Sequence, residues 1–229
     1  MNANELQGEF KARQQSILGI ATKEYNDETR PKKPEFNNDF ALLAKANLTI
    51  PADQIEYLVD KTIASTKADF YLCELTRIMA LSPGQYNEEV KFTFNNLNGA
   101  WMSKGDEKGV FWSENHIIMW HSCSMILFKV GGIPLPEGWR ERIIFYLKDK
   151  IEIGFYEFFS PTYYPYSLAG LLNLHDFAID SEIKELARKA TLRLLKDFVL
   201  MTTEDGIFRS ATGRLTNLEL FTNTTQNNQ

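Results

Sequence analysis

Apolar residues recur along most of this chain at steps of three and four, the period of a helix with one buried face. Ile55, Leu58, Val59 and Ile63 form one such stripe behind Pro51, a residue suited to a first helical turn. Phe70, Leu72, Cys73, Leu75, Ile78 and Met79 form the next, closed by the turn signal Ser82-Pro83-Gly84. A shorter helix is expected around residues 88–97. Trp112, His116, Trp120, Cys123 and Leu127 step along one helix that ends at Gly131-Gly132. Trp139, Ile143, Tyr146 or Leu147, and Ile151 mark the helix after it, which Gly154 follows. Tyr166–Ala178 carries Leu168, Leu171, Leu172 and Leu174. Asp180 is placed to cap a last helix with Ile183, Leu186, Ala187, Ala190, Leu194 and Phe198 inward. Strand-like alternation is scarce, and successive helix pairs with short links predict an all-α fold of antiparallel hairpins.

Before these elements, the chain opens with a short helix and a polar connector, Asp27 to Pro34, with a further short helix at Phe40, Leu42, Leu43 and Ala46. Residues 98–109, rich in glycine and polar side chains, read as a long loop. The expected organisation is an N-terminal extension over 1–36, one helical domain over 37–221 and a disordered Thr/Asn/Gln tail over 222–229.

With 229 residues the chain is long enough for a sizeable core, and a hydrophobic share of 44% against 24% charged is ordinary globular usage. The net charge of −5 and the lack of a long basic stripe argue against general nucleic-acid binding. A local basic patch from Lys104, Lys108, Arg140, Arg142, Arg209 and Arg214 remains open, beside the plainer reading of a solvated helix face. Cys73 and Cys123 sit in apolar helical patterns, which predicts two buried free thiols and a reducing compartment. No secretory signal pattern opens the chain and no apolar stretch is long enough for a bilayer, so the expectation is a cytoplasmic protein, or a secreted one that has lost its leader. Phosphate loops, Cys-x-x-Cys pairs, His-Glu-x-x-His and Gly-x-Ser-x-Gly are missing, which leaves no pointer to a metal or cofactor.

Chemistry gathers in three polar–aromatic segments: Trp112-Ser-Glu-Asn-His116, the run from Gly154 to Tyr164, and Leu172-Asn-Leu-His-Asp176. Each falls at a helix end or in a first turn, where backbone donors are exposed. Together, the Trp-Ser-Glu-Asn-His start, the Gly-Phe-x-Glu-x-x-Ser-x-x-Tyr run and the Leu-Leu-Asn-Leu-x-Asp-Phe-Ala-x-Asp segment resemble poorly characterised bacterial proteins with an (α/α) toroid fold, over roughly residues 110–215. Asn115-His116 followed by Tyr163-Tyr164 is more distantly similar to the arrangement in (α/α)-toroid polysaccharide lyases of the alginate and chondroitin kind.

That resemblance implies β-elimination on an acidic polysaccharide or oligosaccharide, with Asn115 donating to the uronate carboxylate. An imidazole can take a proton near neutrality and a tyrosine can protonate the departing oxygen, roles that fall to His116 and to Tyr164 or Tyr163. Arg209 or Arg214 would supply positive charge, while Trp112, Tyr163 and Tyr166 offer faces on which a sugar could stack. Two other readings stay open. Glu114 and Glu157 could form the acid and base of a glycoside hydrolase. A noncatalytic binding or assembly module is the third reading, because the pattern supplies fewer helices than a closed toroid needs. His116, on the same stripe as two tryptophans, and His175 beside Asp176 also have plainer readings as braces of the helix packing.

Overall fold

A computed structural model describes residues 3–25, 49–50, 52–64, 68–96, 113–135, 137–157, 160 and 163–203. The helices are α1 (Ala3–Tyr25), α2 (Ala52–Ala64), α3 (Ala68–Leu81), α4 (Asn87–Asn95), α5 (Glu114–Ile126), α6 (Trp139–Glu152), α7 (Tyr164–Phe177) and α8 (Ser181–Leu200). The fold is all-α, with no strand among the described residues. No described helix is long and apolar enough to cross a membrane. The expected helix at 40–46, the connector before it and the loop at 98–109 lie outside the described residues.

Contacts divide the chain into two compact units, Met1–Lys104 with Ile126–Ile133, and Gly105–Met125 with Pro134–Gln229. In the first unit α2, α3 and α4 pack on one another around Ile55, Leu58, Leu72, Leu75, Ile78 and Val90. The expected stop of α3 is made by Gly84, whose φ of 81° a side chain would resist. Tyr86 is buried, and its hydroxyl bonds both the N–H and the carbonyl of Ile50 at 3.2 and 3.3 Å. The opening helix α1 is much longer than its sequence pattern suggested, and Leu6, Phe10, Ile17 and Ile20 along it are exposed.

In the second unit, α5 is buried on nearly every side from Ile118 onward, its polar His121, Ser122 and Ser124 included. The π-helical turn that follows in the chain, Leu127–Gly131, belongs to the first unit and is capped by Gly132 at φ 70°, so the Gly131-Gly132 stop stands where the sequence put it. α8 packs against both α6 and α7, and only three residues link α7 to α8, which makes that pair a hairpin. Asp180 caps α8 as expected, accepting the N–H groups of Glu182 and Ile183. It also takes Arg140 Nε at 2.6 Å, and Arg140 reaches Glu182 at 2.7 Å, tying the head of α6 to the head of α8.

Two expected core positions are filled differently. On α8 the buried stripe runs Ile183, Ala187, Ala190, Leu194 and then Asp197, while Phe198 is 39% exposed. Steps of four and three from Leu194 land on 197 or 198, and the helix register selects 197. Asp197 is admitted because Arg193, one turn earlier, donates to it at 3.2 Å. On α6 the stripe Trp139, Ile143, Tyr146 and Leu147 ends on Lys150, with Ile151 only half-buried.

Candidate functional site

The site grows from the first turn of α5 and the chain that leaves α6. Glu114 opens α5, where a carboxylate also suits the positive end of the helix dipole. Its side chain reaches across to the segment after Gly154. Oε2 accepts the N–H of Tyr156 at 2.9 Å and Oε1 the N–H of Glu157 at 2.7 Å. Gly154, at φ 99°, makes the turn that presents those two amides.

Lys150 supplies the counter-charge. Its ammonium lies 3.1 Å from Glu114 Oε2 and 3.1 Å from Asp149 Oδ2, with side-chain exposures of 1% for Lys150 and 3% for Glu114. Neither contact has hydrogen-bond alignment, so the ammonium is held by charge and by aromatic faces. The Tyr156 ring centroid is 3.4 Å away and that of Tyr146 5.4 Å. Tyr146 donates its hydroxyl to the Glu114 carbonyl at 3.0 Å. Burial, reinforced by the negative charge of Glu114, raises its pKa well above the usual phenol value and keeps it a donor. Tyr156 donates to Asp149 at 3.2 Å.

Asn115 is fully buried and spans the gap between the two segments. Its Oδ1 accepts from Ser113 Oγ at 2.9 Å, and its Nδ2 donates to Glu157 Oε1 at 3.0 Å. The other oxygen of Glu157, Oε2, is shielded from water without a hydrogen-bond partner among the described residues, although the residue as a whole is only half-buried. Burial and the neighbouring Glu114 charge push the Glu157 pKa up to about 7, against the opposing pull of His116 and of the Asn115 hydrogen bonds. Glu157 therefore keeps its proton close to neutrality, just beneath the surface.

The structure thus brings Glu114, Asn115 and Glu157 into one hydrogen-bonded cluster, with His116 near enough to act electrostatically on Glu157. Glu114 is committed to two backbone amides and an ammonium, which gives it a structural task. Tyr164, at the head of α7, is 4% exposed and packs edge-on against Phe155 with centroids 6.3 Å apart. Tyr163 and Tyr166 are half-buried, and the Tyr163 N–H donates to Ser160 Oγ at 3.2 Å. Trp112, Arg209 and Arg214 lie outside the described residues.

Lys150 and Asp149 were not singled out in the sequence, Tyr146 stood there only as a core position and Tyr156 only within the run from Gly154 to Tyr164. For Lys150 a signal existed: it continues the steps 139, 143, 146 or 147, 150 on the buried face of α6. Cys73 and Cys123 are buried thiols, not joined in a disulfide. Among the described residues no group of three or more His, Cys, Asp or Glu could hold a metal ion. His121 is buried with its ring edge-on to Trp120 and Trp139, and burial, helped by the charge of Arg142, pushes its pKa down to about 3. In the first unit, a groove of about 730 Å³ is lined by Ile50, Ile55, Val59, Tyr86 and Phe92 with Glu56, Glu88 and Glu89 among its other walls. Its described lining includes three glutamates but no histidine, lysine or cysteine.

Comparison with protein-family models, with curated proteins and with solved structures gives no match to this chain.

Proposed function

We propose that this is a carbohydrate-active protein whose reaction centre is Glu157 with His116, acting by proton transfer on a polysaccharide or oligosaccharide. The observation that carries the reading is the Glu157 carboxyl, half-buried, oriented by Asn115 and with its pKa raised to about 7. A carboxylic acid that keeps its proton near neutrality is the group a departing glycosidic oxygen needs. In the β-elimination reading His116 takes the proton beside the uronate carboxylate and the new double bond forms as the carbon–oxygen bond breaks. Glu157 then protonates the leaving oxygen. The role given to Tyr164 or Tyr163 passes to Glu157, because Tyr164 is almost fully buried and the group that Asn115 orients is Glu157. Asn115, held between Ser113 and Glu157, serves to aim the acid. The toroid arrangement of helices, and an acidic sugar as substrate, are part of the same proposal and rest on the motif resemblance alone.

One observation favours a noncatalytic helical module instead: the Glu114 and Asn115 side chains are both committed to internal partners. The two readings separate in a single assay, incubation with alginate, polygalacturonate and chondroitin sulfate while ultraviolet absorbance from an unsaturated uronide is followed. Elimination predicts a rising signal that His116→Ala abolishes and Glu157→Gln lowers by about a hundredfold or more. Because the acid must be protonated, the rate should fall as pH rises above about 7. No signal from the wild-type chain would reject elimination and favour the binding module.

A further inference from the structure

Tyr156 combines two properties that seldom occur together. Among the described residues it is one of the most exposed large aromatics, at 68%, yet it is fixed at three points. Glu114 accepts its backbone N–H at 2.9 Å, Asp149 accepts its hydroxyl at 3.2 Å, and the Lys150 ammonium sits 3.4 Å from the ring centroid. The inner face covers the Lys150 ammonium, while the outer face, equally fixed, gains nothing from burial. What fixation does accomplish is pre-organisation: a flat apolar face is offered to solvent with its conformational freedom already removed.

The neighbours define what that face serves. Glu157 is the next residue, and its N–H is held by the same Glu114 carboxylate that holds Tyr156. Ring and acid are thus aligned by one anchor. From the other side, Arg193 and Asp197 of α8 lie against Gly154, where an added Cβ would come within 3.2 Å of the Arg193 guanidinium and 3.7 Å of Asp197. We infer that Tyr156 is a pre-organised stacking platform for a sugar ring beside Glu157, and that Lys150 is the positioning residue that holds the platform in place. This rests on the carbohydrate-handling reading above and adds to it a binding residue. The ligand is a pyranose ring with an apolar face, in a chain long enough to extend from the platform to the acid.

Binding is the test, since it does not require turnover. Isothermal titration of the full chain with hexasaccharides of alginate, of polygalacturonate and of chondroitin sulfate, and with cellohexaose as the uncharged probe, should find at least one that binds. Tyr156→Ala should weaken that binding by about ten-fold or more, while Tyr156→Phe, which keeps the face, stays within about three-fold. Lys150→Met, checked by circular dichroism for retained helix, should weaken it as Tyr156→Ala does, and Lys150→Arg should restore it in part. Unchanged affinity in Tyr156→Ala, or no binding of any of the four probes to the wild type, overturns the inference. If Lys150→Met does not fold, the two Tyr156 variants still decide. Binding that depends on Tyr156 without any elimination would sink proton transfer at Glu157 and leave the platform standing.

Discussion

At position 150 the helix register asks for an apolar residue, and a lysine stands there. Taking an ammonium out of water costs several kcal/mol, so the burial is tolerable only because Glu114, Asp149 and two tyrosine rings surround it. Such a pair adds little net stability over a well-packed apolar side chain, but it specifies which segments meet. Here it fixes Glu114, and through Glu114 the amides of Tyr156 and Glu157. The sequence alone could nominate Glu114, Asn115 and Glu157, because acids and amides at a helix start draw attention. It could not reveal Lys150 as their partner, since 36 positions separate it from Glu114 and only folding brings the charges together. His121 is a second buried titratable residue, and its effect on stability has a definite sign. The folded pKa, about 3, lies below the ordinary 6.5, so between those values the unfolded chain binds a proton that the native chain refuses. Its contribution is present above pH 6.5 and is lost as pH falls toward 3, at roughly 1.4 kcal/mol per pH unit. Urea midpoints at pH 7 and pH 5 should therefore drop less in His121→Phe than in the wild type. An equal drop in both would show that His121 is not buried neutral.

At the scale of the element, most of the pattern was legible. Stripes at helical spacing located α2, α3, α5, α6, α7 and α8, and Asp180, Gly84 and Gly132 ended or began them as their chemistry required. The failures share a cause. Ile151 and Phe198 were assigned inward because they are apolar, whereas register places Lys150 and Asp197 there and a charged neighbour makes each acceptable. Helix-to-helix distance was equally hidden. Gly170 on α7 has no sequence signal beyond its small size, yet a Cβ there would come within 3.0 Å of the Ile118 backbone and 3.1 Å of its side chain. Alanine normally stabilises a helix interior by about 0.5–1 kcal/mol over glycine. At Gly170 the clash should win, with Gly170→Ala lowering stability by about 1–2 kcal/mol in chemical denaturation. A gain in stability would mean that α5 and α7 have room to separate.

For the whole molecule, the all-α class follows from periodicity alone, while the division into two compact units was not visible in composition or charge. The boundary passes through the continuous helical stretch that begins at Glu114, and a helix pattern carries no mark of which end packs with which neighbours. The sequence offered a short list of candidate site residues. Three of them, Glu114, Asn115 and Glu157, meet in the second unit, and the proposed mechanism depends on one property of that meeting, a proton retained by Glu157. That property can be measured directly by carbon NMR of the glutamate side-chain carboxyls across a pH titration, with Glu157→Gln identifying the resonance. A midpoint near 7 is expected, raised first by burial and then by the Glu114 charge, so Glu114→Gln, which removes only the second, should lower it in part. A wild-type midpoint near 4.5 would leave Glu157 ionised at neutrality and contradict the proposed acid.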